Sequence, residues 1–296
     1  MTRRRIAGLT MLMLLAAACS AEIEGPARPA PAQELRGTPA MLQAQVRGAT
    51  LRFVEAYRAT VAGGDDLRAV TAGPLMRRFA HWVGVMNRAF PGEVTATSTV
   101  SALGQASPVD PSGRVLDVDL AAQIDVVAQP TSGDPLQFSI PLGGPVRLAA
   151  TAPGSWRVIN FVRFGVPVSS AFVPLDITFE RPGVRVILDS FGAVPTWAFF
   201  VRITATGGSA VTLEEPDVTL VDPEGRRVAE AVEVSVPLLE IAPGPVVEGA
   251  LSFEPPDRVG GLSLRIDLAG ERDPAPLEIP LDPLLGELFG TGTGAG

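Results

Sequence analysis

The chain has few of the side chains on which most catalytic and metal sites depend. Its 296 residues include one cysteine, one histidine and one tyrosine, and every basic residue is an arginine. The absence of lysine excludes Schiff-base chemistry and serine–lysine dyads, and the single histidine and cysteine exclude zinc clusters of the His/Cys type. We therefore expect no metal, no cofactor, no catalytic residue and no enzymatic activity.

The one cysteine follows a segment with the features of an export signal. Arg3-Arg4-Arg5 precede an apolar run from Ile6 to Leu15, and three alanines lead from this run to Cys19. A positive region, a short apolar region and small residues before a cut site are typical of a signal peptide. The apolar run is too short to cross about 30 Å of hydrocarbon as a permanent helix.

Leu15-Ala16-Ala17-Ala18-Cys19 resembles the lipobox of bacterial lipoproteins. The resemblance implies that residues 1–18 are removed as a signal peptide and that the Cys19 thiol is alkylated with diacylglycerol. Two or three acyl chains give stable anchoring, so we expect a protein anchored on the extracytoplasmic face of the cell membrane. Residues 19–37 would then hold the lipidated cysteine and a disordered, Pro/Ala-rich spacer. The alternative is an ordinary secretory signal in which the cysteine is incidental.

The charge of the exported part argues against nucleic acid as a partner. Removal of the leader takes three of the 24 basic residues, leaving 21 against 32 acidic residues and a net charge of about −11. A negative surface repels phosphate backbones and anionic lipid. Because no thiol remains after Cys19, the exported part has no disulfide and depends on its hydrophobic core.

Apolar residues at steps of three or four predict three helices at the start of the ordered chain. The first begins at Thr38-Pro39 and ends at Gly63-Gly64, where glycines stop a helix. A short second helix ends at Gly73, and a third runs from Pro74 to Pro91.

The apolar period then changes to two, which predicts strands joined by tight turns in an antiparallel meander. The best example is the strict alternation of apolar and polar residues from Leu116 to Val126. Helices followed by such a sheet indicate an α+β class. The predicted strands are Val94–Leu103, Leu116–Val126, Leu136–Ala150 and Trp156–Phe164.

Residues 38–175 resemble the nuclear transport factor 2-like superfamily, through FVEAYRATVAGGDD at Phe53–Asp66 and GSWRVINFVRFGVPVSSAFVPL at Gly154–Leu175. The resemblance implies three N-terminal helices on a curved antiparallel sheet, arranged like a cone. In many relatives the cone encloses a pocket for a small apolar molecule, and in others this pocket lies at a protein interface. Plain core is the alternative role of the candidate lining residues, among which Tyr57 is the polar one. These residues are Phe53, Tyr57, Phe79, Trp82, Met86, Trp156 and Phe161.

Residues 176–272 predict about seven short strands, which is typical of a β-sandwich. TLVDPEGRRV, LEIAPGPVVEGALSFEPP and LSLRIDL resemble steps of the immunoglobulin-like domain of bacterial surface lipoproteins. Residues 273–296 form a Pro/Gly-rich tail with a small apolar patch, which could dock on the sandwich or form a partner-binding helix. The patch consists of Leu281, Leu284, Leu285, Leu288 and Phe289.

Several polar groups have both a catalytic or metal-binding interpretation and a plainer one. Asp117, Asp119 and Asp125 share one face of a strand, as a carboxylate pair of a glycosidase could, or as a solvated sheet face does. His81 lies beside an apolar helix stripe and is either a general base or a boundary residue. Acidic turns are either calcium ligands or solvated turns. These turn residues are Glu214, Glu215, Asp217, Asp222 and Glu224.

Three functional hypotheses follow from these patterns. The leading one is a non-enzymatic, lipid-anchored cell-envelope protein that binds or positions another envelope component through its two domains. The second is a carrier or sensor of a small apolar ligand held in the first domain. The third is a hydrolase or isomerase that uses the three aspartates, and it has the least support.

Overall fold

The structure is a computed structural model. It describes residues 39–90, 92–131, 133–193, 197–213, 218–231, 233–235, 240–256, 260–267, 269–270 and 276–282. The chain divides into two compact units between Val173 and Pro174. We call them the N-terminal unit and the C-terminal unit.

The predicted α+β class, with three N-terminal helices on a cone-like sheet ahead of an immunoglobulin-like sandwich, is wrong. Strands take up 55% and helices 22% of the described residues, so the protein is mostly β, with four helices and no three-helix cone-like arrangement in this part of the chain. The second predicted helix is a single turn of four residues. It stops because Thr71 is extended and bridges to Val158, so the chain joins the sheet instead of continuing as a helix.

The two longer helices lie where the apolar stripes predicted them. Each begins with a proline in its first turn, where the missing N–H has no cost. The first is followed by Gly63 at φ 100°, a backbone conformation that favours glycine. The helices are α1 at Pro39–Val61, α2 at Leu67–Val70, α3 at Pro74–Ala89 and α4 at Val168–Ala171.

The N-terminal unit contains one six-stranded sheet in the order β1-β2-β3-β5-β6, with β4 also paired to β3. Burial alternates along β2 as predicted, because residues two apart lie on the same face of a strand. β3 continues through the two adjacent glycines Gly143 and Gly144. The strands are β1 at Gly92–Pro108, β2 at Val115–Pro130, β3 at Leu136–Ala152, β4 at Ser155–Asn160, β5 at Val162–Arg163 and β6 at Val166–Pro167.

Helix α1 runs antiparallel to β1, the strand at one edge of this sheet. The Gln43 amide donates to the carbonyl of Ala106 at 2.9 Å and accepts from its N–H at 2.8 Å. Farther along, Arg58 donates to the carbonyl of Ala96 at 3.2 Å. These side chains satisfy backbone groups that an edge strand otherwise leaves open.

The C-terminal unit consists of β-sandwich-like sheets with five, four and three strands. Their orders are β13-β15-β9-β8-β7, β12-β11-β16-β18 and β14-β10-β17. The first six strands are β7 at Phe172–Arg181, β8 at Val184–Gly192, β9 at Trp197–Ala205, β10 at Val211–Thr212, β11 at Val218–Val221 and β12 at Arg227–Glu230. The others are β13 at Glu233–Ser235, β14 at Glu240–Ile241, β15 at Val246–Phe253, β16 at Ser263–Ile266, β17 at Ala269–Gly270 and β18 at Leu277–Pro280.

The core of this unit is built from the alternating apolar residues of the larger strands. Phe199 packs against Phe191 and Phe253, with ring centroids 4.9 and 6.0 Å apart. Leu281, the first residue of the predicted C-terminal patch, is fully buried in the same core. The rest of the patch, from Leu284 to Phe289, lies outside the described residues.

The predicted leader, Cys19 and the spacer also lie outside the described residues, which begin at Pro39. Among the helices that the structure describes, none combines the length and the apolar character needed to cross a membrane.

Candidate binding site

Four of the seven predicted pocket residues come together in the N-terminal unit. Phe161, which follows β4, lies at the centre of the group. Its ring centroid lies 4.8 Å from that of Phe53 and 5.7 Å from those of Tyr57 and Phe79. Phe172, which the sequence analysis did not single out, lies 5.6 Å from Phe79. We call these five buried side chains the aromatic cluster.

Helical spacing explains how the cluster is assembled. Phe53 and Tyr57 are four residues apart on α1 and therefore project from the same face. Phe79 comes from α3, and its ring is nearly parallel to that of Tyr57 at 6.4 Å. Most of the other pairs are edge-to-face, the arrangement that aromatic rings favour in protein interiors.

The other three predicted pocket residues have different surroundings. Trp82 is buried and its ring meets that of His81 at 5.4 Å. Met86 is only half-buried on the same helix. Trp156 is buried on β4, and its indole N–H has no acceptor in the described part of the chain.

A residue that the sequence analysis missed, Arg163, lies against the aromatic cluster. It is only 5% exposed, and its Nη1 donates to the Tyr57 hydroxyl at 2.5 Å. The guanidinium carbon lies 5.5 Å from the Phe79 ring centroid and 5.3 Å from that of Phe164. The available signal was position: Arg163 is two residues after the buried Phe161, so an alternating strand places it on the inward face.

A tight turn holds this arginine in place. β5 and β6 pair directly, and the two residues between them, Phe164 and Gly165, have φ angles of 51° and 80°. A left-handed conformation suits glycine, but for phenylalanine it costs about 1–2 kcal/mol. The ring of this strained Phe164 is one of the two rings that lie over the Arg163 guanidinium.

Burial changes the pKa values of both polar groups. Burial raises the pKa of the Tyr57 hydroxyl, although the charge and the hydrogen bond of Arg163 oppose this effect. Burial lowers the pKa of Arg163, and Tyr57 opposes that shift in turn. The raised pKa keeps the phenol protonated at neutral pH, and an arginine side chain keeps its proton in proteins.

The structure pairs one of the three strand aspartates with an arginine and places another far from the other two. Asp117 receives two hydrogen bonds from Arg147, at 3.0 and 3.1 Å. Asp125 accepts from Ser139 at 2.6 Å, and the hydrogen bonds from Ser139 and Gln123 lower its pKa. At about 3.3 Å per residue, Asp125 is roughly 20 Å or more along β2 from Asp117 and Asp119.

The remaining predicted polar sites also have structural surroundings. Asp222 accepts hydrogen bonds from the backbone N–H groups of Glu224 and Arg226, as an Asx-type turn does. Glu214, Glu215 and Asp217 lie outside the described residues. Among the residues that are described, no group of three or more His, Cys, Asp or Glu side chains could hold a metal ion.

The C-terminal unit has a polar group of its own on the five-stranded sheet. Asp189 is 1% exposed and occupies a β-bulge between Leu188 and Ser190. It forms an ion pair with Arg202 and accepts a hydrogen bond from Ser190 at 2.8 Å. The Nε atom of Arg202 also lies 3.4 Å from a carboxylate oxygen of Glu248, although their alignment is too poor for a hydrogen bond. This arginine has two carboxylate neighbours.

Comparison with known proteins gave no relative. No family model matches the chain, and no curated protein or solved structure matches it. Proposals about its function therefore rest on the sequence patterns and on the geometry of the described residues.

Proposed function

We propose that the chain is a non-enzymatic protein of the cell envelope, anchored through a lipid on Cys19, that acts by binding another envelope component. Two modes of binding are open to such a protein. It could position a protein partner through both units, or its N-terminal unit could hold a small, largely apolar ligand. The aromatic cluster favours the second mode for the N-terminal unit.

The observation that carries the ligand-binding part of this proposal is the Tyr57–Arg163 pair against the aromatic cluster. Removing a charge and a hydroxyl from water costs free energy, and apolar side chains of the same size would fill a core without that cost. Binding sites for small molecules, in contrast, combine apolar walls with a few buried polar groups that fix the ligand's orientation.

The envelope part of the proposal has separate support. The segment from Arg3 to Cys19 has the order of features of a lipoprotein leader, and the remaining chain is acidic, which does not favour nucleic acid. Two of the three strand aspartates pair with neighbouring side chains, Asp117 with Arg147 and Asp125 with Ser139.

Native mass spectrometry of the purified chain tests ligand binding. The chain is produced from Ser20 onward in a bacterial host, which leaves all described contacts intact. We expect a reproducible extra mass on the folded protein. Phe161→Leu should reduce the ligand-bound fraction several-fold, because this ring contacts three others of the cluster.

Phe199→Leu is the matched control, since it removes a central ring of the C-terminal unit. It should leave the ligand-bound fraction unchanged. Folded protein that carries no extra mass and is not stabilised by envelope lipid extract would contradict the ligand-binding proposal.

Fractionation of cells that produce the full chain tests the anchor. We expect the protein in the membrane fraction, with an N-terminal mass that corresponds to acylated Cys19. Cys19→Ala should move it to the soluble extracytoplasmic fraction or leave the leader uncut. An unsubstituted chain whose processed N-terminus carries no acyl chains would exclude the lipid.

A further inference from the structure

Arg163 is a nearly fully buried positive charge without a carboxylate partner among the described residues. No described Asp or Glu lies within 4.0 Å of its guanidinium, and its hydrogen-bond acceptor is the neutral Tyr57 hydroxyl. Asp117 of the same sheet forms an ion pair with a different arginine, Arg147, on the more exposed face of β2.

The described contacts compensate only part of the cost of this burial. A guanidinium has five N–H donors, and one described acceptor receives one of them. The two aromatic faces contribute about 0.5–2 kcal/mol each. Desolvation of a buried ion costs several kcal/mol even after relaxation. An anion at this position would supply the missing compensation.

The local backbone also keeps Arg163 in this position at a cost. Phe164 adopts a left-handed conformation that a phenylalanine rarely occupies, and in this conformation its ring lies over the guanidinium. Backbone strain of this kind persists where the surrounding structure requires it and is concentrated at ligand sites. Phe79 contacts the guanidinium as well, so two rings restrict its orientation.

Tyr57 can complete the recognition of an anion. Its oxygen already accepts the hydrogen bond from Arg163, so its own hydroxyl hydrogen remains available as a donor. One arginine neutralises a single negative charge, and the hydroxyl adds a hydrogen bond. A carboxylate carries one charge, whereas a phosphate monoester carries about −1.5 to −2 at neutral pH.

We propose that Arg163 and Tyr57 bind the carboxylate of a ligand whose apolar body packs against the aromatic cluster. This inference rests on the proposed function, since it assigns a chemical class to the ligand of the same site. The carboxylate accepts hydrogen bonds from N–H groups of Arg163 and from the hydroxyl of Tyr57. The remaining atoms of the ligand contact rings such as Phe79.

Three probes of equal length separate the head group from the apolar body. Decanoate, decanol and decyl phosphate are titrated against the chain from Ser20 onward by isothermal calorimetry, after bound lipid has been removed on a hydrophobic resin. Decanoate should bind at least about tenfold more tightly than decanol, as expected of a charge-assisted hydrogen-bonded pair.

Two variants connect that preference to the site. Arg163→Met should weaken decanoate binding at least about tenfold and leave decanol binding within about threefold, because the apolar contacts remain. Tyr57→Phe retains the charge and should weaken decanoate binding by a smaller factor. Arg147→Met, which removes a more exposed arginine of the same sheet, is the matched control and should change neither affinity.

The outcomes distinguish this inference from the proposed function. Equal affinity for decanoate and decanol would overturn the carboxylate site and leave ligand binding intact. No binding of any probe by folded protein would count against both. Tighter binding of decyl phosphate than of decanoate would overturn the carboxylate assignment in favour of a phosphate. If Arg163→Met does not fold, an unchanged decanoate preference in Tyr57→Phe overturns the inference.

Discussion

Each unit holds an arginine against its sheet, and the two arginines have opposite surroundings. In the C-terminal unit, Arg202 has Asp189 and Glu248 beside it, so its charge is compensated within the chain. In the N-terminal unit, Arg163 has a phenol and two aromatic rings and no described carboxylate. The first arrangement is typical of structural ion pairs. The second leaves a charge whose natural partner is an anion from outside the chain.

The largest expected effect comes from removing the arginine of the C-terminal unit. Arg202→Met leaves Asp189, which is 1% exposed, without its guanidinium. An uncompensated buried charge lowers the free energy of unfolding by roughly 3–5 kcal/mol. Urea unfolding followed by tryptophan fluorescence measures the change. Arg185→Met, which removes an exposed pair with Glu180, should cost at most about 1 kcal/mol.

The next largest expected loss of stability comes from the contact between α1 and the edge strand β1 of the N-terminal unit. Gln43→Ala removes two hydrogen bonds to the backbone of Ala106, each worth about 0.5–1.5 kcal/mol. We expect the free energy of unfolding to fall by roughly 1–2 kcal/mol. The control is Gln105→Ala, which truncates the exposed neighbour on the same strand and should have little effect. Equal losses from both variants would mean that the edge contacts contribute nothing.

The same substitution in the N-terminal unit tests the comparison directly. In protein without ligand, Arg163→Met removes a charge without a described carboxylate partner but leaves the buried Tyr57 hydroxyl without its described partner, so the free energy of unfolding should change by no more than about 1 kcal/mol. Thermal unfolding of the two variants side by side measures the difference from Arg202→Met. A loss as large as that of Arg202→Met would show that Arg163 is a structural residue.

The smallest expected effect is a change in folding stability at acidic pH. The pKa of Asp125 is lowered by Ser139 and Gln123, and that of Asp222, although burial raises it, is lowered overall by Arg226. A carboxylate with a lowered pKa stabilises the folded state above its ordinary pKa, and this contribution is lost as the pH falls through the lowered value. Both Asp→Asn variants should therefore show less loss of stability below about pH 4.

The two carboxylates should differ in how their contribution to stability depends on salt. Asp222 pairs with a charge, so salt should reduce its contribution, whereas Asp125 has neutral partners and should be insensitive. Thermal unfolding at low and high ionic strength over the acid range checks both expectations. The same salt dependence for the two variants would contradict this assignment of partners.

The local elements could be predicted because each depends on a short-range pattern. Prolines and glycines mark the ends of α1 and α3, and strict alternation identifies the buried face of β2. The fold class could not be predicted in the same way. The length of a helix or strand depends on its neighbours: Thr71 leaves its helix because it bridges to Val158, and this partner is distant in the sequence.

The candidate site shows the same limit. Phe53, Tyr57, Phe79 and Phe161 were identifiable as apolar stripe residues, and the structure brings them together. Arg163 had only one signal, its inward position two residues after Phe161. The partners of Arg163 are set by the folded unit and not by nearby sequence, since Tyr57, which accepts its hydrogen bond, lies 106 residues away in the chain.

The hydrogen bonds from Gln43 to Ala106 also affect how copies of the chain meet one another. β1 is 17 residues long and has no buried side chain, so an open edge of this length would invite a strand from another molecule. Side chains of α1 bind backbone groups of this edge at Ala96 and Ala106, which interrupts the row of donors and acceptors open to a neighbouring copy. Copies of the protein at high concentration are then less prone to pair edge to edge.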